Sequence, residues 1–482
     1  MSTPTRAASV RPFGWRDKIG YMFGDFGNDF TFILQTVFFL AFYTDVMGIE
    51  AAHVGTLFLI ARILDAFTDV GMGRIVDLLR PGRSGRFKPW ILRIAIPVTL
   101  ASAMMYMPFV VDADYGVRVA YMCVTYVIWG SIFYTAVNIP YGSMAAVITD
   151  DPKNRASLSV FRSVGAQLAY LLISAGLPLY IFSTDSTTGS RVMDPMRMAI
   201  AASVCAILGV ICYILCYVNV EERIEAPAKV KGESASFFQM LGTLRRNRAL
   251  LALIVGAIAF LVGMQVAGGA TVYLWKDYFQ RPDMMSVAQT VSIVPVFVMA
   301  VFAAQLAMRV GKKETIAISL FFSGIVAIAA WFMGIKDPLI FVVIFFFISL
   351  GQGMYNILVW AVITDVLDQQ EVNTHERDDA TIYAIYSWSR KLGQALAGWI
   401  VGVAVSAIGY SSEAAKSGAG QAPETIQGIY LLFLLVPGVL YLVTALVMWL
   451  WYPLGRKQVE DNRVILQQRH KADTADAPHA SA

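Results

Sequence analysis

Apolar stretches of about 20 residues alternate with short polar segments along most of the chain, and that length is what an α-helix needs to cross a bilayer. We predict twelve transmembrane helices, near residues 19–46, 53–79, 89–111, 117–148, 156–182, 195–219, 249–277, 287–308, 314–334, 339–365, 380–407 and 426–452. The predicted fold class is therefore an all-α polytopic membrane protein with its helices in two six-helix halves.

Polar segments separate the two sets of helices and flank them at both ends. The predicted domains are a cytoplasmic N-terminus at 1–18, an N-terminal six-helix bundle at 19–219, a cytoplasmic linker at 220–248, a C-terminal six-helix bundle at 249–452 and a cytoplasmic tail at 453–482. The polar composition of the tail predicts disorder. The N-terminus lacks the short apolar core of a signal peptide, so we expect it to be retained.

Composition supports a membrane protein. The chain is 57% hydrophobic and 15% charged, with a mean hydropathy of +0.60, whereas roughly a quarter of the residues of a soluble protein are charged. The net charge of +4 is small, and nucleic acid is not an expected partner. The four cysteines lie inside apolar runs and lack the paired spacing of a zinc site or a disulfide framework.

The distribution of basic residues predicts the orientation. Loops on one side of the predicted helices carry about 20 Lys and Arg residues and loops on the other side carry about five. Because cytoplasmic loops are enriched in Lys and Arg, we expect both termini to lie in the cytoplasm.

An internal repeat relates the two halves. The motif Ala-Val-Ile-Thr-Asp occurs at 146–150 and again at 361–365, each time near the end of a predicted helix. Two weaker matches lie at corresponding junctions, 162–169 with 390–397 and 85–88 with 311–313. Six-helix halves related in this way are the pattern of major facilitator transporters, which bind substrate at mid-membrane between the halves.

Two carboxylates lie inside the apolar segment 57–73. Asp65 and Asp69 are four residues apart and share one helix face, with Thr68 beside them. Charged side chains at membrane depth are costly and need a cation, a proton or an ionic partner. The spacing predicts an ion site, and the alternative is a structural ion pair with Arg62 or Arg162.

Several motifs make a more specific resemblance. The chain is similar to the glycoside-pentoside-hexuronide:cation symporters, the family of the melibiose permease, at Tyr21–Asp29, Phe42–Asp45, Ala61–Asp69, Gly85–Trp90 and Asn138–Tyr141. The resemblance runs from residue 18 to about residue 451 and is strongest in the first half. It implies a cation-coupled sugar symporter that works by alternating access.

The resemblance also implies a cation site. The acids of helix 2 and a threonine of helix 4 in that family correspond to Asp65, Asp69 and Thr135, and Thr68 stands where the melibiose permease has an asparagine. A hydroxyl ligates sodium less strongly than an amide carbonyl, so sodium and the proton remain alternatives. Asp65 and Asp69 are the expected metal ligands if the ion is sodium, and no cofactor is implied.

The sugar contacts of the family correspond to Asn28, Asp29, Asn138, Gly142, Arg162, Ser387 and Lys391. Asn138 and Gly142 replace an aspartate and a tryptophan that hold galactose in the melibiose permease. Loss of that acid, with Arg162 and Lys391 retained, favours a hexuronate, a sulfonated sugar or another anionic glycoside. A neutral pentoside stays compatible, because amides and carboxylates both hydrogen-bond sugar hydroxyls.

Four charged residues near predicted helix ends are candidates for gating: Asp25, Arg86, Asp150 and Asp365. We expect Arg86 to belong to a junction at 80–88 that is both structural and gating, and Asp365 to an ion-pair lock. The alternative to a substrate role for Arg162 and Lys391 is that their long side chains extend to the cytoplasmic membrane interface.

A cation-coupled sugar symporter is the predicted function, and a sodium-coupled lysophospholipid or amphiphile carrier of the same fold is the alternative. An enzyme is disfavoured because no nucleophile, base and metal cluster converges in the predicted helices. A channel is also disfavoured, because it would need a continuous polar pore, whereas the acids here cluster in the N-terminal half. The expected partners are a sugar, a monovalent cation and the lipid bilayer, with the chain acting as a monomer in the cell membrane.

Overall fold

The computed structural model describes residues 11–78, 84–184, 189–224, 247–374 and 379–475. Its helices are α1 (Trp15–Ala41), α2 (Ala51–Leu78), α3 (Lys88–Met104), α4 (Tyr115–Val127), α5 (Thr135–Ile148), α6 (Pro152–Leu171), α7 (Pro178–Ile181), α8 (Pro195–Asn219), α9 (Arg248–Tyr273), α10 (Pro282–Arg309), α11 (Lys312–Met333), α12 (Pro338–Thr374), α13 (Asp379–Ala407), α14 (Ser412–Lys416), α15 (Pro423–Leu446) and α16 (Arg456–Ala475).

Five of these helices continue into a wider π-helical segment. The segments are π1 (Phe42–Val46), π2 (Ile128–Tyr134), π3 (Leu172–Gly176), π4 (Leu274–Tyr278) and π5 (Val447–Trp451). A π-helical turn inserts an extra residue into a helix and often occurs at functional sites. Here π2 joins α4 to α5 without a break, so a single long helix spans 115–148.

Each of the twelve predicted spans contains a helix, which confirms the predicted fold class. Ten helices in the described ranges are long and apolar enough to cross a membrane. The other two predicted spans correspond to α13 and to α3, whose 17 residues make a helix about 26 Å long. Among the described residues, the exception to the all-α prediction is an antiparallel hairpin between the fifth and sixth spans, formed by β1 (Phe182–Thr184) and β2 (Arg191–Met193).

The predicted disorder of the tail at 453–482 is wrong for residues 456–475, which form α16. Val459, Asn462, Leu466 and Arg469 recur at helical spacing, and Asn462 and Leu466 are buried. The amide of Asn462 donates to Gln369 Oε1 at 3.1 Å on α12. This narrow stripe packs the helix although its overall composition is polar.

The connection predicted between the helices at 339–365 and 380–407 is also partly wrong. Helix α12 continues through residues 367–374 to its end at Thr374, and residues 375–378 lie outside the described part. The stretch 366–374 has neither proline nor glycine to end a helix. The extended end of α12 provides the surface on which α16 packs, since Arg469 donates to the carbonyl of Glu371 at 3.2 Å.

The described residues fall into two compact units. The first lies within Met1–Gly232, Thr271–Ser286 and Gly402–Thr425, and the second within Glu233–Ala270, Val287–Val401 and Ile426–Ala482. Two short segments of the predicted second half therefore pack with the first half.

Close helix packing in each unit depends on small residues. In the first unit, a Cβ added at Gly27 of α1 would lie 3.2 Å from the carbonyl oxygen of Gly209 of α8. In the second unit, the Ser323 hydroxyl of α11 donates to the Ile348 carbonyl of α12 at 2.8 Å. Small side chains and interhelical hydrogen bonds are typical of packing in a bilayer, where lipid is as apolar as the helices.

Candidate cation and substrate sites

Two carboxylates of α2 face two hydroxyls of the long helix that contains π2 and α5. Ser131 donates to Asp65 Oδ1 at 2.6 Å, and Thr135 donates to Asp69 Oδ1 at 3.2 Å. Asp65 and Asp69 are four residues apart, and so are Ser131 and Thr135, so the two contacts lie one helical turn apart. We call Asp65, Asp69, Ser131 and Thr135 the hydroxyl-carboxylate ladder.

The structure therefore brings together three of the four predicted cation-site residues through their side chains. The fourth, Thr68, is half-buried on α2, and its hydroxyl donates to the backbone carbonyl of Asp65 at 3.3 Å. Its side-chain oxygen keeps lone pairs that can accept or ligate.

Sequence reasoning missed Ser131. It lies one turn before Thr135, as Asp65 lies one turn before Asp69, and this matching spacing was the available signal. Ser131 is buried within π2. It adds a second hydroxyl oxygen to the candidate ligand set.

The structure distinguishes between the two possible ionic partners of Asp65. Arg62 lies on the same helix, with its guanidinium 3.5 Å from Asp65 Oδ2. Arg162 of α6 contacts Asp25 of α1 instead, with Nε 2.9 Å from Oδ1. Arg62 is thus a weak ionic partner of Asp65 on the same helix, and Arg162 belongs to a different group of charges.

This second group of charges lies on α1 and α6. Asp29 is half-buried one turn after Asp25, and its charged neighbours are Asp25 and Arg162. The Arg162 guanidinium also lies 5.5 Å from the centre of the Tyr141 ring. Two carboxylates and one guanidinium leave this group with one negative charge when all three are ionised, and its polar atoms suit hydroxyl-rich ligands.

Asn28 faces the packing surface between α1 and α8. Its Oδ1 accepts a hydrogen bond of 2.6 Å from the Tyr213 hydroxyl. Its Nδ2 is buried and has no hydrogen-bond partner among the described residues. The amide is therefore oriented by Tyr213 and keeps its donors available.

Two other predicted substrate residues share a face of α5. Asn138 is half-buried and Gly142 is exposed, and their spacing of four residues places them one turn apart. A Cβ added at Gly142 would meet no other described atom within 4 Å. The position that carries tryptophan in the melibiose permease thus faces open space in this chain.

The remaining predicted substrate residues lie on α13 in the second unit. Lys391 is exposed, and the side chain of Ser387 lies outside the described residues. Near them in the same unit, the Arg390 guanidinium lies 5.4 Å from the Trp360 ring centre. Tyr386 packs edge-on against Trp360 with ring centres 5.8 Å apart.

Arg86, one of the predicted gating residues, lies in the connection from α2 to α3. Its guanidinium Nε donates to the Val76 carbonyl at 3.1 Å, at the end of α2, where a cation complements the helix dipole. Its backbone N–H donates to Glu222 at 2.6 Å. Glu222 also accepts from the backbone of Phe87 and Lys88 at 2.9 and 2.7 Å, a clamp that sequence reasoning missed.

The two aspartates of the repeated motif differ. Asp365 is buried in α12, and Lys312 of α11 lies 2.6 Å from its Oδ1. Asp150 is exposed in the short connection between α5 and α6. Asp365 therefore forms an ion pair of the predicted kind, and the gating roles of Asp25, Arg86, Asp150 and Asp365 stay predictions.

Comparisons with known proteins identify the family of the chain. The family model described as MFS/sugar transport protein matches residues 20–456. The chain is 29% identical over 458 residues to the glucuronide carrier protein homolog of Escherichia coli strain K12, covering 95% of this chain and 96% of that protein. It is 28% identical over 485 residues to the isoprimeverose transporter of Lactiplantibacillus pentosus, covering 98% and 96%.

A solved structure shows the same fold. A bacterial homologue of the human lysosomal transporter Spinster aligns with a TM-score of 0.63 at 13% identity, covering 92% of this chain and 97% of that one.

Proposed function

Because the chain belongs to the MFS/sugar transport protein family, we propose that it is a secondary active transporter that couples uptake of a sugar or glycoside to a monovalent cation. Two relatives named for a glucuronide and for isoprimeverose support a sugar substrate. The hydroxyl-carboxylate ladder is the observation that carries cation coupling, because it places carboxylate and hydroxyl oxygens side by side on apolar helices.

The ladder suits a sodium ion or a proton. Two carboxylates one turn apart repel each other, and a bound cation removes that repulsion. The hydroxyl oxygens of Ser131 and Thr135 have lone pairs that can complete a ligand set. We place the cation between Asp65 and Asp69, with Thr68 as a further oxygen from the same helix.

The sugar occupies the space around Asp29, Asn138 and Gly142. Asp29 and Asn138 offer acceptors and donors for hydroxyls, and the absence of a side chain at Gly142 leaves room for a sugar ring. Arg162 provides a cation for a carboxylate or sulfonate once its contact with Asp25 is exchanged. Ser387 and Lys391 stay predicted sugar contacts on the strength of the family resemblance alone.

Transport proceeds by alternating access, in which two six-helix halves rock about a central site. The chain operates in the cell membrane as a monomer with both termini in the cytoplasm. Cation binding and sugar binding strengthen each other by the same factor, because linkage between two binding sites is reciprocal. Asp25, Arg86, Asp150 and Asp365 act at the cytoplasmic ends of the helices.

Uptake of a radiolabelled panel tests this proposal. The panel contains a glucuronide, a neutral pentoside and a neutral galactoside, each given to cells with and without sodium and with and without an uncoupler. We expect concentrative uptake of the glucuronide or the pentoside, lost without sodium or with the uncoupler. Uptake of every sugar at the rate of cells lacking the protein would contradict sugar transport.

Substitution of Asp29 tests the substrate site separately. Asp29→Ala removes hydroxyl contacts, so we expect the sugar concentration for half-maximal uptake to rise at least tenfold with little change in the cation requirement. Asp114→Ala, an exposed carboxylate before α4, is the matched control and should leave both unchanged. Equal losses of sugar and cation dependence in Asp29→Ala would indicate a structural role for Asp29.

A further inference from the structure

A buried cluster of charged and hydroxyl side chains lies at one end of the first unit, away from the predicted cation, substrate and gating residues. It joins π1 at the end of α1, π4 at the end of α9, and the residue Tyr410, which follows α13. We call it the Asp45 cluster, and its members are Thr44, Asp45, Tyr273, Lys276, Asp277 and Tyr410.

An ion pair lies at the centre of the cluster. The Lys276 ammonium donates to the Asp45 carboxylate and lies 3.3 Å from Asp277 Oδ1. The side chains of Lys276 and Asp45 are only 4% and 3% exposed. Lysine and aspartate are rarely buried to this degree unless they are paired, so the packing here depends on the pair.

Hydroxyl groups complete the hydrogen bonding of the pair. The Tyr410 hydroxyl lies 2.8 Å from Asp45 Oδ1 and accepts from Lys276 at 3.1 Å. Thr44 donates to Asp45 Oδ1 at 2.8 Å, and its oxygen is 2.8 Å from the Tyr273 hydroxyl. These contacts connect π1 to two segments that lie more than 200 residues later in the chain.

The short helix α14 adds a second set of contacts beside the cluster. The Ser412 hydroxyl donates to the Ile49 carbonyl at 2.9 Å, and Lys416 donates to the Val111 carbonyl at 2.5 Å. Residues 271–286 and 402–425 therefore pack with the first half of the sequence at this end.

We propose that the Asp45–Lys276 ion pair is a latch that holds the extracellular end of the transporter closed and must separate for substrate to enter. The inference rests on the proposed alternating access and orientation, which place the ends of α1 and α9 outside the cytoplasm. When the two halves of the sequence separate there, water reaches both charges and replaces the lost contact. The ion pair therefore stabilises the closed state, in which water is excluded, and is not needed in the open state, in which water solvates both charges. The two states can thus interconvert.

A disulfide provides a direct probe of the closed arrangement. A Cβ built at Gly48 lies 3.9 Å from Lys416 Cβ, within the range of about 3.5–4.5 Å found in disulfides. Gly48 has a φ of +63°, so a cysteine there is somewhat strained, and the flexible end of Arg118 must move aside. We expect the Gly48→Cys/Lys416→Cys protein to cross-link under mild oxidation, detected by mass spectrometry of the linked peptides.

The latch variant is Lys276→Met in the two-cysteine protein. Without its ammonium, Asp45 and Asp277 repel each other, so we expect cross-linking to slow at least tenfold. Arg281→Met is the matched control. Arg281 and Asp283 form an ion pair of 2.7 Å in the same segment, but their side chains are 54% and 40% exposed. It should change the rate less than twofold.

Exchange of the two charges distinguishes loss of the ion pair from misfolding of the Lys276→Met variant. Asp45→Lys/Lys276→Asp in the two-cysteine protein should cross-link within about threefold of the parent rate. Cross-linking of Lys276→Met at the parent rate, no recovery in the exchanged variant, or no cross-linking in the parent would each overturn the latch.

Uptake is measured separately on the same proteins. We expect the cross-linked transporter to lose uptake of the panel sugars and to regain it after reduction. Full uptake in the cross-linked state would overturn the latch, because this end would not need to open. If the wild-type protein takes up no panel sugar, the proposed function fails, and the cross-linking rates still judge the latch.

Discussion

Asp65 and Asp45 are both carboxylates on apolar helices of the first unit, but their surroundings differ. Asp45 is almost inaccessible and contacts the Lys276 ammonium directly. Asp65 is half-buried, accepts from the Ser131 hydroxyl at 2.6 Å, and has the Arg62 guanidinium at 3.5 Å. We therefore expect a structural or gating role for the carboxylate that holds a buried ammonium, and binding of an exchangeable cation at the carboxylate that contacts a hydroxyl.

The largest difference is expected when each basic neighbour is removed. Lys276→Met leaves the buried carboxylates of Asp45 and Asp277 without their cation in the closed arrangement, which costs that arrangement about 3–5 kcal/mol, so we expect a clear fall in the unfolding temperature. Arg62→Met removes a long, partly exposed contact and should cost less than about 1 kcal/mol. Thermal unfolding of the two purified variants in detergent checks this. Equal losses would remove the distinction between the two carboxylates.

A smaller difference is expected when one hydroxyl is removed from each site. Ser131→Ala deletes an oxygen of the ladder, and we expect the sodium concentration for half-maximal uptake to rise about tenfold, as the loss of a contact to a charged group implies. Thr44→Val deletes the corresponding hydroxyl beside Asp45 and should leave it unchanged. Equal shifts in the two variants would place the cation outside the ladder.

The smallest effect is expected at Thr68, which is on α2 but donates to the backbone of Asp65. Thr68→Asn introduces an amide carbonyl next to the ladder, and we expect sodium to stimulate uptake about two- to threefold more strongly. Uptake against sodium concentration at fixed pH checks this. Unchanged sodium dependence in Thr68→Asn would show that position 68 is outside the ion shell.

Sequence alone predicted the helices and the carboxylate spacing well, because hydrophobic runs and four-residue periodicity are local signals. It predicted the hydroxyl partners less completely. Thr135 followed from family resemblance, whereas Ser131 had only its position one turn earlier as a signal. Lys276 was inconspicuous, since basic residues are common near the end of a membrane helix. Its partner Asp45 is 231 residues away, and only the folded chain shows that they meet.

The repeated motif shows a second limit of sequence reasoning. Helix α5 ends at Ile148, because Asp151 caps the next helix and Pro152 begins it. Helix α12 continues past Asp365 to Thr374, since no proline or glycine follows. The same five residues therefore lie at the end of one helix and inside another, and the residues after the motif decide the outcome.

Accumulation of sugar in proteoliposomes tests most directly whether Asp65 and Asp69 hold the coupling cation. Radiolabelled sugar from the uptake panel is supplied with an imposed sodium gradient or an imposed pH gradient. We predict that wild type and the exposed control Asp114→Asn accumulate sugar above equilibrium with one of these gradients. Asp65→Asn and Asp69→Asn should only equilibrate it, although they remain folded in the membrane. Accumulation in both variants to the wild-type ratio would contradict the account.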